Sequence, residues 1–203
     1  MKLSVVIPVY NSSSIIGNLT SDILNTSKDI SNIDDIELIL VNDCSSDDTW
    51  LKISKLTEDN KDSVIGINLM KNYGQHNAIM AGLKIAKGDY ILLMDDDYQH
   101  PPKEIPKILN KISEGYDVCY TNYKNNAYSG FKLFGSWLNK KISNILIDKP
   151  KSVYLSSFKC FTKKVCKEII KYDGPFVYID GLIFDITKNV TSVDIEHSER
   201  KEG

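Results

Sequence analysis

Arginine is nearly missing from this chain. Of its 25 Lys plus Arg residues only Arg200 is an arginine, and the formal net charge is -2. That balance excludes the broad basic surface of an electrostatic nucleic-acid binder. Cysteine is scarce as well. Cys44, Cys119, Cys160 and Cys166 form no CxxC pair and no disulfide-scaffold spacing, which fits a reducing compartment. No run approaches the roughly 18 apolar residues that span a membrane. The N-terminal "MKLSVVIPVYN" is too short for a signal peptide and reads as a first strand, so the chain as it stands reads as soluble. Two phosphate-binding signatures are absent: no GxGxxG follows the first strand, and there is no Walker lysine loop.

The 203 residues, 42% hydrophobic and 26% charged, suit one globular domain with a sizeable core. Short apolar runs at 3–9, 36–42, 64–69, 89–95 and 116–122 predict strands. Amphipathic stretches near 13–27, 46–59, 75–87 and 102–114 predict helices between them. The alternation implies an α/β fold with a parallel sheet covered on both faces. "VVIPV" and "ELILV" carry no polar alternation, as expected of strands buried on both sides. "SSDDTW" predicts N-cap chemistry with acids in the first turn of the second helix. "AKGDY" predicts a glycine stop for the third, and "HPPKEIP" a proline start for the fourth. Beyond about 123 the pattern is less regular: a lysine-bearing helix over 129–146, then "YLSSFKCF", then a helix from about 162.

Ligands of open α/β sheets bind beyond the carboxyl ends of the strands. Three polar clusters fall there: "PVYN" (8–11), "VNDCSSDDT" (41–49) and "MDDDYQ" (94–99). A crevice built from them is acidic, and it takes a phosphorylated ligand only through a divalent cation, Mg²⁺ or Mn²⁺, held by one or two carboxylates. The run Asp95, Asp96, Asp97 reads equally well, taken alone, as a solvated turn. His76 and His100 read as hydrogen-bonded or surface residues before ligands, and Cys160 and Cys166 as packing.

"SVVIPVYN", "ELILVNDCSSDDTW", "KNYGQHNAIMAGLKIAKGDYILLMDDDYQHPPKEIP" and "HSERKEG" together resemble the family 2 glycosyltransferases of GT-A fold. The likeness is nearest to the polyprenyl-phosphate branch, with its dolichyl-phosphate mannose synthases and bacterial undecaprenyl-phosphate sugar transferases. "NYGQHNAIMAG" is similar to the aminoarabinose transferases in particular. The resemblance implies a nucleotide-sugar-binding half over 1–122 and an acceptor-side half over 123–203 in one GT-A domain. It implies a nucleotide pocket of Pro8, Tyr10, Asn11, Asp43, Lys71, Asn72, Asp95 and Asp96, with Asp43 reading the base. Asp95 and Asp97, aided by Gln99, would hold the metal. Lys132, Ser136, Lys159 and Arg200 would gather the acceptor phosphate, with Asp97, Lys132 and Arg200 closest to catalysis. It also implies that "HSERKEG" leads on into membrane helices, placing the protein at the cytoplasmic face of the cell membrane.

Departures from the family pattern qualify this. Ser12 stands where an acid follows "YN", Asn42 replaces the first acid of "VDD", and Tyr123 stands for an arginine. Val153 aligns with an acid, and Lys159 with the arginine of "FR". The implied activity is metal-dependent, inverting transfer of a sugar from a nucleoside diphosphate, UDP first, to undecaprenyl phosphate. A second reading has a saccharide hydroxyl as acceptor, with Asp180 or Asp185 as base. A third is a catalytically dead sugar-nucleotide-binding partner.

Overall fold

A computed structural model describes residues 1–31, 33–123 and 153–196. The helix expected over 129–146, with Lys132 and Ser136, and Arg200 in the last loop all lie outside the described residues.

The strands β1 (Lys2–Val9), β2 (Asp35–Asn42), β3 (Val64–Asn68), β4 (Tyr90–Leu93), β5 (Val118–Tyr123), β6 (Lys159–Thr162) and β7 (Val190–Ile195) form one sheet in the order β3-β2-β1-β4-β6-β5-β7. The β1/β2, β2/β3, β1/β4 and β5/β7 pairs are parallel. β6 runs antiparallel to both β4 and β5 and sits between them. The sheet is thus mostly parallel, as expected, with one reversed strand that the sequence pattern did not announce.

Alternate residues of each strand face different layers. Leu3, Val5, Ile7 and Val9 of β1, with Leu38 and Leu40 of β2, pack under α1 (Ile16–Lys28), α2 (Thr49–Asp59) and α4 (Ile105–Ile112). Val6, Ile39, Val41, Ile91 and Leu93 point the other way, to α3 (Gln75–Leu83), α5 (Lys163–Ile169) and α6 (Ile179–Ile186). The helices form because their apolar residues recur on one face: Ile105, Ile108, Leu109 and Ile112 of α4 are all buried at i, i+3, i+4 and i+7. Val153 is buried in the second layer, so the position aligned with a family acid is core here. Cys119 and Cys160 face each other across β5 and β6, fully buried, and Cys166 is buried too, which bears out the packing reading.

Two helix-end expectations need correction. The acids before α2 do not lie in its first turn. Asp47 precedes the helix, accepting from Thr49 N at 3.1 Å, Thr49 Oγ1 at 2.5 Å and Ser13 N at 3.2 Å, while Asp48 at the N-cap makes no side-chain capping bond. These bonds hold the Asp47 carboxyl down at about 2, although burial opposes them. Gly88 does not stop α3, which ends at Leu83. Its reason is space: a Cβ would come within 2.6 Å of Ser4 N and Tyr90 O. Gly82 is tight in the same way, a Cβ meeting Val6 Cγ1 at 2.5 Å, and so lets α3 lie close on β1 and β2. The proline start of α4 is present, with Pro102 opening a 3-10 turn and Pro106 in the helix's own first turn.

Candidate active site

Every non-glycine residue with positive φ among the described residues lies just past a strand end on one side of the sheet. Asn11 (φ 52) follows β1, Cys44 (φ 59) follows β2, and Tyr98 (φ 61) follows β4. Such conformations cost free energy and collect at functional sites. Between these turns opens a cleft of about 370 Å³ lined by Pro8, Val9, Tyr10, Asp43, Asn72, Gly74, Gln75, Asp95, Asp96 and Asp97. The clusters expected to converge do so. Pro8, Tyr10, Asp43, Asn72 and the three aspartates share this one cleft.

The remaining expected residues flank it. Asn11 Oδ1 accepts from Ser46 N at 2.9 Å and shapes the turn. Lys71 is exposed, with Nζ 4.8 Å above the Tyr73 ring. The Gln99 amide donates to Asp97 Oδ1 at 3.0 Å, and its side chain is not among those lining the cleft. Lys159 is buried, paired with Asp180, and its Nζ lies 5.1 Å from the Tyr120 ring centroid. It therefore belongs to the interior between β4 and β5 and not to an open phosphate surface. Asp180 Oδ1 also accepts from Tyr120 OH at 2.8 Å, while Asp185 is exposed on α6.

Asp43 is almost fully buried, and both its oxygens are engaged: Oδ1 accepts from Tyr73 N at 2.7 Å and Oδ2 from Gly74 N at 2.8 Å. It thus anchors the turn that opens α3, beyond any contact with a base. Asn42, the departure from "VDD", has a structural reason. Its Nδ2 donates to Asn68 Oδ1 at 2.7 Å across β2 and β3, and its Oδ1 accepts from Ser45 Oγ at 2.5 Å. An aspartate there could accept but not donate.

Three adjacent carboxylates would repel if alike, and the fold makes them unlike. Burial pushes the Asp96 carboxyl up, against hydrogen bonds from Ser12 Oγ and the Tyr10 amide at 3.2 Å. The Asp95 carboxyl is held low: burial opposes this, but bonding to His100 and Ser157 outweighs it. Ser12, where the family has an acid, is therefore the hydroxyl partner of an acid at position 96. Sequence reasoning missed Gln75, Ser157 and His100 as partners of Asp95; the only signal was their place in "YGQHN", "SSF" and "QHPP".

The donor set facing the cleft is all oxygen, the kind that Mg²⁺ and Mn²⁺ take. Among the described residues no three His, Cys, Asp or Glu side chains converge on one point. A cation held by one or two carboxylates together with ligand phosphates needs no such cage, and the residues fit that arrangement.

The sequence profile described as Glycosyl transferase family 2 matches residues 4–179. Curated relatives from Shewanella sediminis (strain HAW-EB3) and Proteus mirabilis (strain HI4320) are 32% and 33% identical, covering 99% and 100% of this chain but 60% and 61% of their own lengths. Both are named undecaprenyl-phosphate 4-deoxy-4-formamido-L-arabinose transferase. The chain thus spans about three fifths of the curated relatives it matches. Among solved structures, S. aureus TarS 1-349 in complex with UDP-GlcNAc superposes with a TM-score of 0.66 at 25% identity, over 100% of this chain and 60% of that one. Mannosyltransferase PcManGT from Pyrobaculum calidifontis, in complex with GDP-Man and Mn²⁺, reaches 0.69 at 13% identity, over 98% and 56%, a likeness of fold. Profile, relatives and architecture agree, and the chain belongs to glycosyl transferase family 2.

Proposed function

We propose that this enzyme transfers a sugar, with inversion, from a nucleoside diphosphate to polyprenyl phosphate at the cytoplasmic face of the cell membrane. The donor is UDP-linked in this reading. The observation that carries it is the convergence of Tyr10, Asp43, Asn72 and three aspartates in one cleft at the strand ends. Asp43 and the neighbouring Pro8 and Tyr10 receive the nucleoside. Asp95 and Asp97 would hold Mg²⁺ or Mn²⁺, with Gln99 supporting Asp97 through its backbone amide, and a bound ion would neutralise charge developing on the leaving diphosphate.

The remaining work is placement. A phosphate acceptor is already an anion near neutral pH and needs no base. A saccharide hydroxyl does. Of the two aspartates that could serve, Asp180 is tied to Lys159 and Tyr120 and Asp185 stands exposed on α6. That favours the phosphate acceptor, as do the relatives' names. Lys132, Ser136 and Arg200 remain part of the proposed acceptor site. No helix among the described residues is long and apolar enough to cross a membrane; the membrane placement follows from the acceptor.

The test is a transfer assay with Mn²⁺, a panel of UDP-sugars, and undecaprenyl phosphate in detergent, reading polyprenyl-phosphate sugar by mass. Product is expected with one UDP-sugar. Transfer only to a soluble glycan would establish the hydroxyl-acceptor reading, and UDP-sugar binding without transfer or hydrolysis would establish the inactive partner.

A further inference from the structure

Asp95 is gripped from both sides by residues distant in sequence. Gln75 Nε2 donates to Oδ1 at 2.7 Å, and Ser157 Oγ donates to Oδ2 at 2.5 Å. Behind Ser157 stands buried His100, its ring stacked on Phe158 with centroids 5.1 Å apart. His100 Nε2 lies 3.1 Å from Ser157 Oγ and 3.5 Å from Asp95 Oδ2. Counting protons orders the group. A serine hydroxyl has one proton and here gives it to Asp95, so its oxygen accepts from His100 Nε2–H. The network itself assigns that tautomer.

The gripping residues are themselves held. Ser156 Oγ accepts from Phe158 N at 3.1 Å and lies 2.9 Å from Thr121 Oγ1, which fastens the segment around Ser157 to β5. Gln75 opens α3 directly after the two amides bound by Asp43. Neither side chain belongs to the two buried core clusters. Each spends its side-chain hydrogen bond on one carboxylate at the edge of the cleft. Without them, a short side chain beside Asp96 and Asp97 would turn away from its neighbours' charge.

We propose that Gln75 and Ser157 are positioning residues for Asp95, with His100 orienting the Ser157 hydroxyl. Together they hold the carboxylate, before any ligand arrives, in the rotamer that meets the cation and diphosphate of the donor. Outer partners of this kind orient metal-binding carboxylates elsewhere. The proposal rests on the donor-site reading above.

The test compares the unaltered protein with Ser157→Ala, Ser157→Thr and Gln75→Leu. It measures UDP binding with and without Mn²⁺ by calorimetry, thermal melting, and crystal structures without metal or nucleotide. Ser157→Ala should weaken Mn²⁺-dependent UDP binding by about tenfold, the lower end for loss of an outer partner. Its melting should stay close to that of the unaltered protein, and Asp95 should leave its rotamer. Ser157→Thr keeps the hydroxyl and should restore both affinity and rotamer. If Ser157→Ala does not fold, Gln75→Leu makes the same test from the other oxygen. Unchanged affinity with an unmoved Asp95 in the alanine or leucine variant overturns the proposal, and so does failure of threonine to restore either. Failure of the unaltered protein to bind UDP with Mn²⁺ overturns the donor reading instead, and the crystal structures then decide the positioning role alone.

Discussion

The Gly74 amide donates to Asp43 Oδ2 at 2.8 Å, tying the end of β2 to the start of α3 across the cleft. With the Tyr73 amide on Oδ1, one carboxylate fixes a turn whose Gly74 sits at φ 85. Asp43→Ala should therefore cost about 2 kcal/mol or more, since it strips two backbone amides of a charged acceptor. If Asp43 also meets the base, the same variant loses its preference for UDP over CDP, which lacks the ring N–H donor. Urea unfolding and competitive nucleotide binding separate the two effects. Lost stability with an unchanged UDP-to-CDP ratio would leave Asp43 as a turn anchor only.

Asp97 is the least exposed member of the aspartate run. Asp97→Ala should abolish the Mn²⁺-dependent part of UDP binding while leaving the metal-independent part. Calorimetry with and without the ion reads this directly, and equal affinities for variant and unaltered protein would remove Asp97 from the metal site.

Lys159 and Asp180 form a buried pair under the Tyr120 hydroxyl. Removing one partner leaves the other charge uncompensated, so Lys159→Met or Asp180→Leu alone should cost about 3–5 kcal/mol. The double variant should recover part of that loss, because an apolar pair of similar volume restores a consistent interior. A double-mutant cycle in urea measures the coupling. Strictly additive losses would contradict it.

Glu37 is a buried acid far from the cleft. It accepts from Ser4 Oγ and the Lys87 amide, each at 2.5 Å, and pairs with Lys2 at 3.2 Å. Burial works against its ionised form, but these bonds prevail and hold its carboxyl below the ordinary 4.5. A lowered folded value stabilises at pH above the unfolded value, and the gain is lost as pH falls through the folded one. Glu37→Gln should thus be less stable than the unaltered protein at neutral pH, and the gap should close as pH drops below 4.5. Melting curves across that range check it; a gap that widens in acid would refute the assignment.

Much of this was legible in the residues, for definite reasons. β1 and β2 read clearly because strands buried on both faces are continuous apolar runs, and α4 because its stripe has helical period. The place of Asp43 and of the aspartate run at strand ends was legible because each follows such a strand, but by itself the run read equally well as a solvated turn, and only the family resemblance favoured a binding role. β6 did not: "KCFT" is four residues long and carries a lysine whose partner, Asp180, lies 21 residues on. Nor did the grip on Asp95, whose donors Gln75 and Ser157 are 20 and 62 residues away. Their role is a product of the fold's convergence, and no local pattern encodes it.

The reversed strand also has a consequence for how the chain comes together. β5 joins the sheet through β6 and β7, and β4 has β6 on its outer side. While the first 123 residues emerge alone, β4 therefore presents Ile91, Leu92 and Leu93 along an unpaired edge, and β5 lacks both of its strand neighbours. Open edges of this kind invite pairing with other chains. That edge closes only when β6 (Lys159–Thr162) has been made, so synthesis paused between β5 and β6 is expected to be the stage most exposed to aggregation.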